Sequence, residues 1–281
     1  MIRLITLGAT LALALTSTAC ATGALDAPSS EQAVHLPPTI GVFDYQLGGA
    51  SDELEAVAGP IDVVVRDATA RPLAGAYSIC YVNGFQTQPG DADAWLAHED
   101  LLLHDAAGEL VTDPEWPDEY VLEPSTPAQR DGILRHIGPV IDGCAERGFD
   151  AVEIDNLDTW TRFDGIDEAG AHALAAAYVD RAHGAGMAIA QKNAAEITAL
   201  AHNELGFDFA VTEECGAWGE CAAYTDVYGG RVLQIEYPDA LAEKNMTFAD
   251  VCAQPDRAPL TILRDLALAA PGVAGHLYAS C

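Results

Sequence analysis

Residues 126–158 read TPAQRDGILRHIGPVIDGCAERGFDAVEIDNLD. Thr126 is an N-cap, Pro127 takes the first helical position and Gln129 completes a capping box. Ile133, Ile137, Val140, Ile141 and Cys144 then fall three or four residues apart, so one face of the helix is apolar. Gly148 stops it, and the next apolar run, Ala151 to Asp155, reads as a strand with a carboxylate at its tip. A helix followed at once by such a strand is the repeating unit of an α/β domain.

The same alternation extends in both directions. Strands are predicted at Gly41–Tyr45, Ile61–Arg66, Tyr77–Val82, Ala151–Asp155, Met187–Ala190, Phe207–Thr212, Val232–Ile235 and Leu260–Leu263. An alanine-rich helix is predicted over Ala169–His183, ending at Gly184 and Gly186. Several strands end in a polar residue, as barrel strands do at the active face. The expected fold is α/β, a single-domain (β/α)8 TIM barrel over residues 39–281. A doubly wound open sheet is the alternative, because periodicity does not separate the two. No Gly-x-Gly-x-x-Gly follows a strand and no phosphate-binding Gly-x-x-x-x-Gly-Lys occurs, so no nucleotide cofactor is expected.

Residues 1–21 read as a bacterial export signal, with Arg3 before the apolar run Ile5–Leu15 and small residues from Ser17. Cleavage after Ala21 competes with lipidation of Cys20, which would make the chain a surface lipoprotein. Residues 22–38 are polar and read as a linker or arm. An exported chain meets an oxidising compartment, so six remaining cysteines suggest up to three disulfides. Cys215 and Cys221 are near enough to pair locally. Cys80, Cys144, Cys252 and Cys281 allow three pairings.

Asp and Glu number 43 against 13 Lys and Arg, a net charge of -30. That charge argues against nucleic acid and an anionic membrane as partners, while a cationic or neutral substrate is allowed. The acids concentrate where strands end. On the strand from Ala151, residues 151, 153 and 155 share a face, so Glu153 and Asp155 point together toward the barrel rim. Asn156 and Asp158 extend that rim, and Trp160 offers a flat apolar surface. Lys192, one of two lysines, follows the next strand beside Gln191 and Asn193. Glu213 ends the strand after that, and Glu236 and Tyr237 end the following one. Asp44, Tyr45 and Gln46 end the first strand, and Asn83 and Gln88 follow the third. Carboxylates, amides and aromatics in one rim suit a carbohydrate, and glycosidic hydrolysis needs two carboxyl groups. Asp155 and Glu213, on different strands, are the candidate pair. No Gly-x-Ser-x-Gly elbow is present. His136, His183 and His202 fall in helices, as structural histidines do. A divalent cation at Glu153, Asp155 and Asp158 is the metal alternative; no resident metal or cofactor is expected.

The chain resembles glycoside hydrolase family 114, the endo-α-1,4-polygalactosaminidase-like barrels, from about Gly41 to Leu266. The matching segments are Asp44-Tyr-Gln-Leu47, Ile79-Cys-Tyr81, Gly148-Phe-Asp-Ala-Val-Glu-Ile-Asp-Asn156, Gln191-Lys-Asn193, Phe207-Asp-Phe-Ala-Val-Thr-Glu213 with Cys215 and Cys221, and Glu236-Tyr237. The resemblance implies a (β/α)8 barrel that cleaves within a partly deacetylated galactosamine polymer. It implies catalysis by Asp155, as nucleophile, and Glu213, as acid/base. Glu153, Asn156, Lys192 and Glu236 would position the sugar. Two segments depart from the family. Strand three continues Val82-Asn-Gly-Phe-Gln-Thr-Gln88, with amides where an acid is expected, and strand two ends Arg66-Asp67-Ala68 instead of in paired aspartates. The departures point to a neutral or acetylated sugar. They keep open a carbohydrate-binding barrel without activity, and a metal-assisted hydrolase or deacetylase.

Overall fold

The computed structural model describes residues 34–52 and 59–281. The export signal, Cys20 and most of the linker lie outside the described residues. Among the described residues no helix is long and apolar enough to cross a membrane.

Eight parallel strands follow one another in chain order: β1 (Phe43–Gln46), β2 (Val63–Asp67), β3 (Tyr77–Asn83), β4 (Ala151–Asp155), β5 (Ala188–Lys192), β6 (Phe209–Glu213), β7 (Val232–Glu236) and β8 (Leu260–Arg264). A short β9 (Tyr278–Ser280) pairs antiparallel with β8. The result is a curled nine-stranded sheet. Among the described residues no ladder joins β8 back to β1. An isolated parallel bridge between Gly48 and Ala269, just past the two strands, and several side chains span that seam. Arg264 of β8 donates to Asp44 Oδ1 at 2.5 Å and to the Tyr45 carbonyl on β1, and the Tyr278 hydroxyl donates to the Phe43 carbonyl at 2.8 Å.

Helices fill the connections: α1 (Ala92–Leu96), α2 (Pro127–Arg147), α3 (Thr159–Arg162), α4 (Glu168–Gly184), α5 (Thr198–Leu200), α6 (Cys215–Trp218), α7 (Cys221–Tyr228), α8 (Pro238–Glu243) and α9 (Phe248–Cys252). The capping box at Thr126 and Gln129 forms, and Gly148 closes α2 in the left-handed region at φ 89°. Ile133, Ile137, Ile141 and Cys144 are buried, as their spacing requires.

Two apolar layers result. Val152 and Ile154 pack outward against the helices, while Ala151, Ala188, Ala190, Phe209 and Val211 fill the inside of the sheet. The period-2 alternation of each strand divides its residues between these layers. Val34 and Leu36, inside the predicted linker, pack against the inner layer. Disulfides link Cys80 with Cys144, Cys215 with Cys221, and Cys252 with Cys281. The first ties β3 to α2 and the last ties α9 to the residue after β9.

Most strands run a residue or two beyond their predicted ends. Gln46, Asp67, Asn83, Lys192, Glu213, Glu236 and Arg264 are all strand residues. The apolar pattern fades at the strand tips, but the ladder continues because these polar groups find partners in the protein, many of them in the loops beyond the sheet.

Candidate active site

The ends of β4, β5 and β6 converge on one cation. The Lys192 side chain is 2 % exposed, and its ammonium lies 3.3 Å from Glu153 Oε1, 3.3 Å from Asp155 Oδ1 and 3.2 Å from Glu213 Oε2. It also reaches the Tyr45 hydroxyl at 3.1 Å. A tyrosine hydroxyl also holds each carboxylate, on the oxygen that Lys192 contacts in Glu153 and on the opposite oxygen in Asp155 and Glu213. Tyr45 donates to Glu153 Oε1 at 2.7 Å, Tyr81 to Asp155 Oδ2 at 2.6 Å and Tyr237 to Glu213 Oε1 at 2.6 Å.

One buried cation does not balance three carboxylates, one buried and two facing the cleft, and the environments divide the acids accordingly. Burial pushes Glu153 up to about 7, with Lys192 and the Tyr45 hydroxyl pulling against it. Glu153 Oε2 is buried without a hydrogen-bond partner, as suits a group that is neutral in part. Burial also opposes the charge on Asp155, but Lys192, the Tyr81 hydroxyl and the Asn156 amide together hold it below the usual carboxylate range. Burial works against Lys192 as well, and Asp155, Glu213 and Glu153 outweigh it, so its ammonium stays protonated.

The chain leaves each of these strands through a left-handed residue: Asn156 at φ 62°, Asn193 at φ 50° and Glu214 at φ 63°. Asparagine tolerates this region; for a glutamate it costs of order 1–2 kcal/mol. The sharp exits aim local groups back at the acids. The Asn156 amide donates to Asp155 Oδ1 at 2.9 Å. Asn193 Oδ1 accepts from the Glu213 amide at 2.8 Å, and its Nδ2 donates to Glu213 Oε2 at 3.2 Å.

Above this floor opens a cleft of about 500 Å³. Tyr45, Asn156, Lys192 and Tyr237, expected to bind substrate, line it together with Asp155 and Glu213. Glu153 lies beneath, fully buried. Four expected binding residues are used elsewhere. Asp44 pairs with Arg264. Gln46 bonds Asp44, Ser51 and Arg66. Glu236 accepts from the Gly216 and Ala217 amides at 2.7 and 3.2 Å and so anchors α6. Asn83 is buried under the rim, bonded to Glu119 and Asn156. These placements share one reason: buried polar groups must be paired, and each of the four has its partner inside the protein. Trp160 is not the flat surface expected of it, for it packs edge-on against His172 in the outer layer.

Cleft residues that sequence reading missed come from the long connection between β3 and α2. Trp116, 51 % exposed, and Glu119, 7 % exposed, stand in the cleft wall. Burial is the main force pushing Glu119 up to about 7, with Asp155 and Asp113 adding to it. The available signal was length: a connection of this size in a barrel-like domain is often functional. Arg162 joins the wall, bonding Asp113 at 2.8 Å, Asp158 at 3.1 Å and Asn156 at 2.6 Å.

The metal alternative at Glu153, Asp155 and Asp158 meets Lys192 between the first two acids and Arg162 on the third. Cys215, Cys221 and Glu236 also lie within ligand distance of one another. The two cysteines are joined in a disulfide, so they offer no thiolate. The histidines serve packing: His136 stacks on Trp95, His183 bonds Asp208, and His202 bonds the Phe207 carbonyl.

No curated protein sequence matches the chain. The crystal structure of Aspergillus fumigatus Ega3 in complex with galactosamine is similar in fold, with a TM-score of 0.68 at 20 % identity, over 89 % of this chain and 98 % of that one. The glycoside hydrolase domain of PelA from Pseudomonas aeruginosa is similar at a TM-score of 0.56 and 15 % identity, over 83 % and 98 %. The model of glycoside-hydrolase family GH114 matches residues 23–281. With that match spanning fold and cleft alike, the chain belongs to glycoside-hydrolase family GH114.

Proposed function

We propose that this chain is an endo-acting glycoside hydrolase that cuts an α-1,4-linked, galactosamine-containing polymer, with Asp155 as nucleophile and Glu213 as acid/base. The observation that carries this reading is the pair of cleft carboxylates from β4 and β6 sharing the Lys192 ammonium. Asp155 is held ionised, as a nucleophile must be. Glu213 stands more open to the cleft, at 26 % side-chain exposure against 19 %.

In the first step Glu213 gives a proton to the glycosidic oxygen and the C1–O bond breaks. An Asp155 oxygen bonds C1, and the leaving chain departs with a new hydroxyl. In the second step Glu213 takes a proton from water, the water oxygen attacks C1 and the ester to Asp155 breaks. Lys192 and the Tyr81 hydroxyl stabilise the carboxylate before the first step and after the second. Two oxygens on one ammonium at 3.3 and 3.2 Å lie at most roughly 6.5 Å apart, a bound that admits the ~5–5.5 Å of retaining enzymes and leaves only the lower edge of the ~6.5–9.5 Å of inverting ones. Retention at the anomeric carbon is therefore part of the proposal.

The net charge of -30 favours a polycation, and Ega3 was crystallised with galactosamine. Three disulfides suit an exported protein, free or tethered through Cys20. The test is reducing-end release and product mass from de-N-acetylated and acetylated galactosamine polymers, with chitosan and galactan as controls and Glu213→Gln in parallel. Oligomers that form from a galactosamine polymer, keep their anomeric configuration by NMR and vanish with the variant are expected. Products only from chitosan or galactan, or equal products from the variant, would overturn the assignment.

A further inference from the structure

We infer that Glu119 is the residue by which this cleft selects a protonated amino sugar over its N-acetylated counterpart. The inference rests on reading the cleft as a sugar site and adds a specificity residue from outside the strand ends.

Glu119 sits where a short β-bridge between Thr112 and Tyr120 turns the chain over the cleft. Its backbone is fixed there, the Asp113 amide donating to the Glu119 carbonyl at 3.1 Å. Its carboxyl is fixed by Asn83, whose Nδ2 donates to Oε2 at 2.8 Å. Asn83 is in turn committed: its Oδ1 accepts from Asn156 Nδ2 at 3.0 Å and from the Gln86 amide at 3.1 Å. The amide found at strand three where the family has an acid is therefore a holder for an acid supplied from elsewhere in the chain. One bond to Asn83 leaves the carboxyl with acceptor capacity toward the cleft.

No basic side chain pairs with Glu119 among the described residues. Arg162, the basic group whose charge bears on it, is spent on Asp113, Asp158 and Asn156. The charged groups that bear on Glu119 are Asp155, Asp113 and Arg162, two of them repulsive. Glu115 and Asp67 add negative charge to the same walls. A carboxyl that is 7 % exposed and lacks a counter-ion takes up either a proton or a cation. A 2-ammonium sugar supplies both charge and hydrogen-bond donors. A 2-acetamido sugar supplies no charge and leaves the acid uncompensated.

Glu119→Gln is the direct test, because glutamine keeps an acceptor for Asn83 and loses only the charge. Steady-state kinetics on de-N-acetylated and acetylated α-1,4-galactosamine polymers would be paired with calorimetric binding of the matching oligomers. We expect kcat/KM and affinity for the de-N-acetylated ligand to fall about ten- to hundredfold in the variant, the range of a charge-assisted hydrogen bond. Values for the acetylated ligand should stay within about twofold. Equal losses on both ligands, no loss on either, or a preference of the wild type for the acetylated ligand would overturn the inference, as would binding of neither oligomer. The predicted binding difference in a protein without turnover would uphold Glu119 and defeat the glycosidase reading. Turnover that the substitution leaves unchanged would do the reverse.

Discussion

Asp155 and Asp44 are both aspartates near the ends of strands, both paired with a buried cation, and their surroundings set them apart. Asp155 shares Lys192 with two other acids, opens to a cleft and is followed by a left-handed asparagine. Asp44 has Arg264 as its partner, with side chains of both 1 % exposed, and the pair bridges the seam between β1 and β8. Arg264 also bonds the Tyr45, Leu277 and Ala269 carbonyls, which fixes the guanidinium in place. An acid whose charge is balanced by one well-bonded partner holds the structure together. Acids that outnumber their cation keep unspent capacity, and capacity facing a cleft is what catalysis uses.

The comparison breaks most visibly at Asp155. Asp155→Asn should lower kcat by about 10⁴-fold, roughly 5.5 kcal/mol of barrier, while the melting temperature stays near the wild-type value because Lys192 keeps Glu153 and Glu213. Steady-state rates beside thermal melts would check it, and a loss of folding with the loss of rate would erase the distinction. The same replacement at Asp44 should act the other way. It strands a buried guanidinium at a cost of about 3–5 kcal/mol, read by denaturant unfolding. The folded fraction should keep its turnover within about threefold, since neither partner lines the cleft.

The smallest effect sharpens the charge count. Glu153 and Glu119 each have a folded-state value of about 7 against an ordinary 4.5. Between these values the folded state binds more protons than the unfolded one. Stability should therefore fall as pH rises from 4.5 to 7, by at most ~1.4 kcal/mol per pH unit for each group, and level off above. Asp155, held low, contributes in the opposite sense, and its contribution is lost only as pH falls through its depressed value. Unfolding free energies across pH 4.5–8 should show a flatter slope in Glu153→Gln and a flatter one still when Glu119→Gln is added. An unchanged slope would mean that both acids are ionised throughout.

Much of the fold was legible in residues 126–158, because capping, helical spacing and strand alternation are local. The run Ala151–Asp155 was located to the residue. The other strands run one or two residues past the predicted runs, and β1, β2, β5 and β6 begin one or two residues later than predicted. The candidate pair and Lys192 were legible because carboxylates and a scarce lysine stood at strand ends. Glu236 stood there too and turned out to hold the amides of α6, since a strand end looks alike whether its partner is a ligand or a backbone N–H.

Local pattern and composition carry the order of strands and helices, the inward face shared by Glu153 and Asp155, and the six cysteines that pair. These follow from contacts a few residues apart and from composition. Tertiary structure alone decided that Cys80 meets Cys144 and Cys252 meets Cys281. It alone set Arg264 and Tyr278 across the seam between β8 and β1, and brought Glu119 onto Asn83, 36 residues away in the chain. Such pairings depend on where the curled sheet places distant strand ends and on which buried group lacks a partner. Neither is a property of any stretch of sequence read alone.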